Sequence, residues 1–190
     1  MRLATIVPLL LLCAPAAAGA QGGVEGQEAI EMKCVYAALS PAERATIARV
    51  DSGRGTADEL DETNDVVHRH AETCAQRHGW DAQLMLAGGG FAIARVVYED
   101  TLAALPPGLS SATLDAAATT LSDEDRFRFT SAGKAELGAD PGWRARVDAA
   151  LAAAGVADAN LAAARLYLEV LHDGLYAMQT FDELWRASHR

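Results

Sequence analysis

The stretch DANLAAARLYLEVLHDGLYAMQTFDELWRAS, residues 158–188, decides the fold because its apolar residues keep a helical spacing throughout. Two interlocking heptad series run along it: Leu161, Leu168, Leu175 and Ala164, Leu171, Met178, Trp185. Together they form a continuous apolar stripe on one side of a long helix. We therefore predict that this segment is the central helix of a helical bundle.

The rest of the chain also has the character of helices. Ala, Leu, Glu and Arg are abundant, and no stretch alternates polar and apolar residues as a β-strand would. Capping boxes start helices at Ser40 and Thr56, and Asp81 caps another. The sequence predicts an all-α, single-domain bundle of about seven to eight helices. These cover about residues 25–39, 40–50, 56–78, 81–105, 110–121, a short segment from 122, 140–155 and 158–188.

Two pairs of similar segments raise the hypothesis of an internal duplication. LSPAER at residues 39–44 resembles LSDEDR at 121–126, and each is followed by a glycine that leads into DAQL at 81–84 or DANL at 158–161. A duplication predicts two similar helical halves around a shared core. Capping chemistry alone also favours Ser, Asp and Glu at these positions, so convergence is the alternative.

Residues 1–20 differ from the remainder of the chain. Arg2 is followed by the apolar run LATIVPLLLLCAP and then by small residues that end at Ala20. This pattern predicts a secretory signal peptide that is cleaved after Ala20, leaving residues 21–190 as a periplasmic or secreted domain without a transmembrane segment. Lipidation at Cys13 is the alternative, but Leu12 stands where a lipoprotein signal has a small residue.

The cysteine count then predicts one disulfide. Loss of Cys13 with the signal leaves Cys34 and Cys74, and two cysteines in an oxidising compartment usually pair. Closing a loop of this length stabilises a domain by about 4 kcal/mol in the chain-entropy model. The alternative is a reduced Cys74 that serves as a ligand.

The charge of the chain limits its partners. The formal net charge of −10 becomes −11 when Arg2 is removed, and no run of Lys and Arg occurs. Such a surface repels phosphate backbones and anionic lipids, so we expect no nucleic-acid partner.

Three of the five histidines lie in HRHAETCAQRHGW, residues 68–80. Covalent haem attachment requires C-x-x-C-H, which is absent, and the paired ligand spacings of structural zinc sites are also missing. His70, Cys74 and His78 follow one another at intervals of four residues, on or near one side of a helix. A metal site that uses His70 and His78 is therefore one hypothesis. In the other, His78 ends the helix and Cys74 is bridged.

A di-metal carboxylate site is a weaker hypothesis. Glu169 with His172, and Asp65 with His68, have the acid-x-x-His spacing of such bundles. Helical phase points both acids away from the apolar stripes and places His172 only at the edge of its stripe. We therefore do not expect this site.

Function is not evident from any motif. No G-x-S-x-G or reactive-cysteine context occurs, and the glycines at residues 88–90 are not part of a phosphate loop. Close helix packing, or a break that lines a cavity, explains these glycines. The leading hypothesis is an exported, non-catalytic binding or interaction protein without a cofactor, whose partner is a protein or a small-molecule ligand. The alternative is a metal-dependent protein or enzyme centred on His70 and His78.

Export and the disulfide can be tested together by intact mass. Protein recovered from the periplasm of an exporting bacterium should have the mass of residues 21–190 less two hydrogens, because the signal is removed and two thiols are oxidised. A native spectrum of the same sample would also reveal a bound metal or ligand. A mass that includes residues 1–20, or thiols that react with an alkylating reagent, would contradict the prediction.

Overall fold

A computed structural model describes residues 22–190, so the predicted signal peptide and its cleavage site lie outside the described residues. Within this range the chain forms ten α-helices, eight of them with seven residues or more. The helices are α1 (Gly22–Met32), α2 (Cys34–Ala38), α3 (Pro41–Asp51), α4 (Ala57–His78), α5 (Ala82–Ala103), α6 (Ser111–Thr120), α7 (Asp123–Phe127), α8 (Ser131–Leu137), α9 (Trp143–Ala153) and α10 (Leu161–Ser188). A short 3-10 turn, Asp158–Asn160, leads into α10. The all-α prediction is confirmed.

Capping determines where the long helices of the first half begin. Both capping boxes are formed, since Ser40 accepts from the backbone N–H of Glu43 at the start of α3, and Thr56 accepts from that of Glu59 at the start of α4. Gly79 ends α4 with a positive φ of 70°, which a glycine adopts without strain. These boundaries agree with the sequence prediction to within a residue.

Two boundary predictions are wrong. The single helix expected over residues 25–39 is divided into α1 and α2 by a turn at Lys33. Glu31 and Met32 at the end of α1 and Cys34 and Val35 at the start of α2 are all buried, so both helices face the core at this turn.

The helix expected from Asp140 begins later, at Trp143. The Asp140 carboxylate instead accepts from the backbone N–H of Gly142 at 2.8 Å, which forms a turn before α9.

Helix α8 was not predicted from the sequence.

The internal duplication remains a prediction. The helices that begin within the two similar segments differ in length, since α3 has 11 residues and α7 has 5.

Two apolar clusters form the core, and α10 joins them. The first contains residues of α2 to α5 together with Phe181 and Trp185, near the C-terminal end of α10. The second contains residues of α6 and α9 together with Ala164, Tyr167 and Leu168, from the N-terminal half of α10. Helix α10 is therefore central, as its apolar stripe predicted.

Helix α5 lies beside α10 in an antiparallel arrangement. A Cβ added at Gly88 would lie 3.6 Å from Phe181, whereas the Tyr98 hydroxyl lies 3.2 Å from that of Tyr167. As the α5 numbers rise, the α10 numbers fall. The pair therefore extends across both clusters.

The predicted disulfide is confirmed. Cys34 at the start of α2 is bonded to Cys74 in the last two turns of α4, with a Cα–Cα distance of 6.0 Å. The bridge lies in the first cluster, where both cysteines are buried. It connects the N-terminal helices to α4 independently of their apolar contacts.

Glu31 is the most deeply buried carboxylate in the described residues, with 1% of its surface exposed. The indole N–H groups of Trp80 and Trp185 both donate to its Oε2, at 3.0 and 2.9 Å. Burial raises the pKa of Glu31, but these hydrogen bonds, one from Gln27 and the nearby His78 outweigh burial and hold that pKa below its usual value. The carboxylate thus links α1 to the start of α5 and the end of α10.

The three successive glycines of α5 have different surroundings. A Cβ at Gly88 would lie 2.8 Å from the Trp80 ring, and one at Gly89 would lie 3.2 Å from the Val67 side chain. A Cβ at Gly90 would meet no atom within 4 Å, and Gly90 lines a cavity. The close-packing interpretation therefore holds at Gly88 and Gly89, whereas no helix break occurs, because α5 is continuous from Ala82 to Ala103.

None of the helices within residues 22–190 is both long enough and apolar enough to cross a membrane.

Replacing Glu31 should test how much the buried carboxylate stabilises the fold. Glu31→Leu leaves two buried indole N–H groups without an acceptor, at a cost of about 1–3 kcal/mol each, so the free energy of unfolding should fall by about 3 kcal/mol. Glu31→Gln keeps a carbonyl oxygen as acceptor and should lose about half as much. Urea unfolding followed by tryptophan fluorescence measures both. Equal stability of the two variants would show that the hydrogen bonds from the indoles are not the cause of the stabilisation by Glu31.

Candidate functional site

A surface groove opens beside α10, at the junction of the two core clusters. Its larger part has a volume of about 540 Å³ and lies between α6, the α7–α8 region and α10. A smaller part of about 230 Å³ adjoins it between α5 and α10. Tyr98, Leu171 and Leu175 line both parts. We call the two together the Tyr98 groove.

The groove exposes part of the predicted apolar stripe of α10. Leu175 and Met178 belong to the heptad series, yet 46% and 42% of their surfaces are exposed. Leu168, about two turns before Leu175, and Trp185, about two turns after Met178, are buried. The middle of the stripe is therefore not covered by any helix within residues 22–190, and it lines the groove.

A directed chain of hydrogen bonds lies at one side of the groove. The Tyr167 hydroxyl donates to an Asp115 carboxylate oxygen at 2.9 Å, so its oxygen accepts from the Tyr98 hydroxyl at 3.2 Å. Burial, followed by the hydrogen bonds to Tyr98 and Asp115, raises the pKa of Tyr167 well above its usual value. Tyr167 therefore stays protonated and holds Tyr98 with its oxygen lone pairs available to the groove.

His172 contributes an acceptor on a mostly buried ring. Its Nδ1 lies 2.7 Å from the Leu168 carbonyl oxygen, which makes Nδ1 the donor, and its ring stacks on Phe129 at 5.2 Å. Burial, with a smaller effect of the Arg126 charge, lowers the pKa of His172, so the ring is neutral near pH 7. Nε2 is then an acceptor, without a hydrogen-bond partner in the described part of the chain.

Arg126 places a positive charge in the larger part of the groove. One of its terminal nitrogens lies 3.5 Å from the Ala118 carbonyl oxygen, and the other pairs with Asp123, whose side chain is 96% exposed. An ion pair with so exposed a carboxylate is weak. Because a guanidinium has five N–H groups, three of them have no partner among residues 22–190.

The histidines predicted from sequence lie elsewhere. His70 Nε2 is 3.4 Å from a Glu43 carboxylate oxygen, and His78 stacks on Trp80 with its Nδ1 3.8 Å from Glu31. Eight residues of helix separate the two histidines by about 12 Å, and Cys74 between them is in the disulfide. Within residues 22–190 no group of three or more His, Cys, Asp or Glu side chains could hold a metal ion. The metal hypothesis therefore gains no support and stays a prediction.

The remaining di-metal candidates are also dispersed. Glu169 pairs with Lys134, and His68 pairs with Glu72 at 3.2 Å, as their outward phase predicted. His172, at the edge of its stripe, is nevertheless buried, with only 7% of its surface exposed. Phe129, from the turn between α7 and α8, covers the ring.

Comparison of the chain with protein-family models, with curated proteins and with solved structures gives no significant match.

Sequence reasoning missed the groove residues Tyr98, Asp115 and Arg126. They lie on three helices, α5, α6 and α7, and no local spacing connects them. The available signal was the stripe of α10, which is apolar over a greater length than either core cluster occupies. Apolar helix surface beyond what the core covers indicates either a binding partner or a groove.

The buried His172 predicts a pH dependence of stability. The unfolded chain binds a proton at this residue below about pH 6.5, whereas the folded protein resists it, so stability falls as pH is lowered through 6.5 towards the folded pKa. Between pH 7.5 and 5.5 the loss is at most about 1.4 kcal/mol. His172→Asn keeps an N–H donor for the Leu168 carbonyl but does not titrate, so the variant should lose less over this range. Urea unfolding of both proteins at the two pH values measures the difference, and equal losses would contradict the assignment.

Proposed function

We propose that this protein is an exported, non-catalytic binding protein that holds a small organic ligand in the Tyr98 groove. The observation that carries the proposal is the exposure of Leu175 and Met178, which are apolar members of an otherwise buried stripe and line this groove. Apolar surface left open to water costs free energy, and covering it with a ligand recovers that cost.

The size and lining of the groove suit a small molecule. Ligand pockets typically have volumes of roughly 300–1,000 Å³ and are mostly apolar, with a few polar groups that orient the ligand. The larger part of the groove, at about 540 Å³, falls in this range. Tyr98, Arg126 and His172 are the polar groups that would orient a ligand there.

The chemistry of the groove supports binding rather than catalysis. The Thr119 and Thr130 hydroxyls donate to backbone carbonyls, at 2.7 and 2.8 Å, rather than to a base. His172 is oriented by a backbone carbonyl, whereas a histidine that activates a nucleophile is bonded to the nucleophile and oriented by a third group.

Export is supported by two independent features. Residues 1–20 have the pattern of a secretory signal, and the Cys34–Cys74 disulfide suits an oxidising compartment. A periplasmic or secreted location would allow the protein to capture a ligand outside the cytoplasm.

Filling the groove should abolish binding. Gly174 lines its smaller part, and a Cβ there would meet no atom within 4 Å, so Gly174→Leu should fill the space while improving helix propensity by roughly 1 kcal/mol. The neutral dye N-phenyl-1-naphthylamine should fluoresce on binding the wild-type protein, and Gly174→Leu should bind it at least about tenfold more weakly.

Gly90→Leu is the matched control. Gly90 is also a helical glycine with open space around its Cβ, but it lines a different cavity between α5 and α10. This variant should bind the dye as the wild type does. Unchanged binding by Gly174→Leu, or loss of binding by Gly90→Leu alone, would contradict the assignment of the Tyr98 groove as the binding site.

A further inference from the structure

We infer that the ligand of the Tyr98 groove is an anionic amphiphile, with its negatively charged group at Arg126 and its apolar body along Leu171, Leu175 and Met178. This inference rests on the proposed function and names the class of ligand. It follows from the distribution of charged and apolar side chains along the groove.

The charge of the groove is opposite to that of the molecule. The chain has a formal net charge of −10, yet the charged residues of the described chain that line the groove are two cations, Arg95 and Arg126, and one carboxylate, Asp115. Arg95 donates to Glu99 at 2.8 Å, and Asp115 accepts from Tyr167. Arg126 is therefore the groove cation whose only charged partner within residues 22–190 is an exposed aspartate.

The second cavity beside α10 provides a contrast. Asp51, Glu169 and Asp173 line it, and none of the described Arg, Lys or His residues does. An anion would be repelled there and attracted to Arg126. The two sides of α10 therefore discriminate between ligands of opposite charge.

Arg126 is well suited to a carboxylate or a similar group. Three of its N–H donors have no partner in the described chain, and a planar guanidinium can bind both oxygens of a carboxylate at once. Replacing a weak pair with an exposed aspartate by a partly buried pair with a ligand strengthens the interaction, because the cavity has a lower dielectric than water.

His172 marks the same end of the groove as polar. Only 7% of its surface is exposed, and its Nε2 has no hydrogen-bond partner among residues 22–190 although the residue lines the larger cavity. Since this nitrogen can be reached from the cavity, water or a ligand can donate the hydrogen bond that the described chain does not supply. The polar part of a ligand thus belongs between Arg126 and His172.

The other end of the groove is mostly apolar, and its charged lining residue, Arg95, is already paired with Glu99. Phe91, Leu171, Leu175 and Met178 line the smaller part, which adjoins the larger one. A ligand with a charged group at Arg126 can therefore extend an alkyl or aromatic body towards Phe91. Methionine and leucine side chains adapt to such bodies without specific polar contacts.

The test uses three compounds that share a ten-carbon chain: decanoate, decanol and decyltrimethylammonium. Each is titrated against the protein with bound N-phenyl-1-naphthylamine, and displacement of the dye gives its affinity. Decanoate should bind about tenfold more tightly than decanol, and the ammonium compound most weakly, because only the carboxylate pairs with Arg126.

Arg126→Gln should lower the affinity for decanoate to that for decanol and leave the affinity for decanol unchanged. Arg126→Lys keeps the charge and should restore part of the preference. Arg144→Gln is the matched control, since Arg144 is an exposed arginine of α9 away from the groove, and it should bind all three compounds as the wild type does.

The outcomes separate the inference from the function on which it rests. Equal affinity of the wild type for the three compounds, or decanoate binding that survives Arg126→Gln, overturns the anionic ligand but leaves the groove as a binding site. Absence of binding by the dye and by all three compounds overturns both.

Discussion

The hydrogen bonds that two indole N–H groups donate to the Glu31 carboxylate hold the two ends of the fold together. Trp80 precedes α5 and Trp185 lies near the end of α10, so one carboxylate of α1 fixes both. Neither indole could be buried here at low cost without an acceptor, and the carboxylate could not be buried without donors. The position of each group therefore depends on the others.

Because α10 is anchored at both ends, part of its middle is left without a covering helix. The N-terminal half of the helix packs in the second cluster through Tyr167 and Leu168, so the helix extends from one cluster to the other. Residues between the two anchored ends are covered only where a neighbouring helix reaches them. Leu175 and Met178 are not covered, and the Tyr98 groove lies there.

The position of α10 also places side chains of opposite charge on its two sides. On one side of α10 the groove contains Arg126 and the neutral His172, and on the other side a cavity contains Asp51, Glu169 and Asp173. Burial and the neighbouring carboxylates Asp173 and Glu169 raise the pKa of Asp51, whereas Arg126 adds to the effect of burial in lowering the pKa of His172. A protein with a large negative net charge thus retains one surface that favours an anion.

The sequence by itself determined the all-α class, most helix boundaries and the disulfide. Caps such as Ser40 and Thr56 act within four residues, and a pair of cysteines needs only an oxidising compartment and proximity. Only the tertiary structure decided that His172 is buried, that His70 and His78 face different carboxylates, and that the stripe of α10 opens into a groove. Periodicity identifies the side of a helix that avoids water, but the helices that cover it are chosen by contacts between residues far apart in the chain. The candidate site consists of the residues that those contacts leave uncovered.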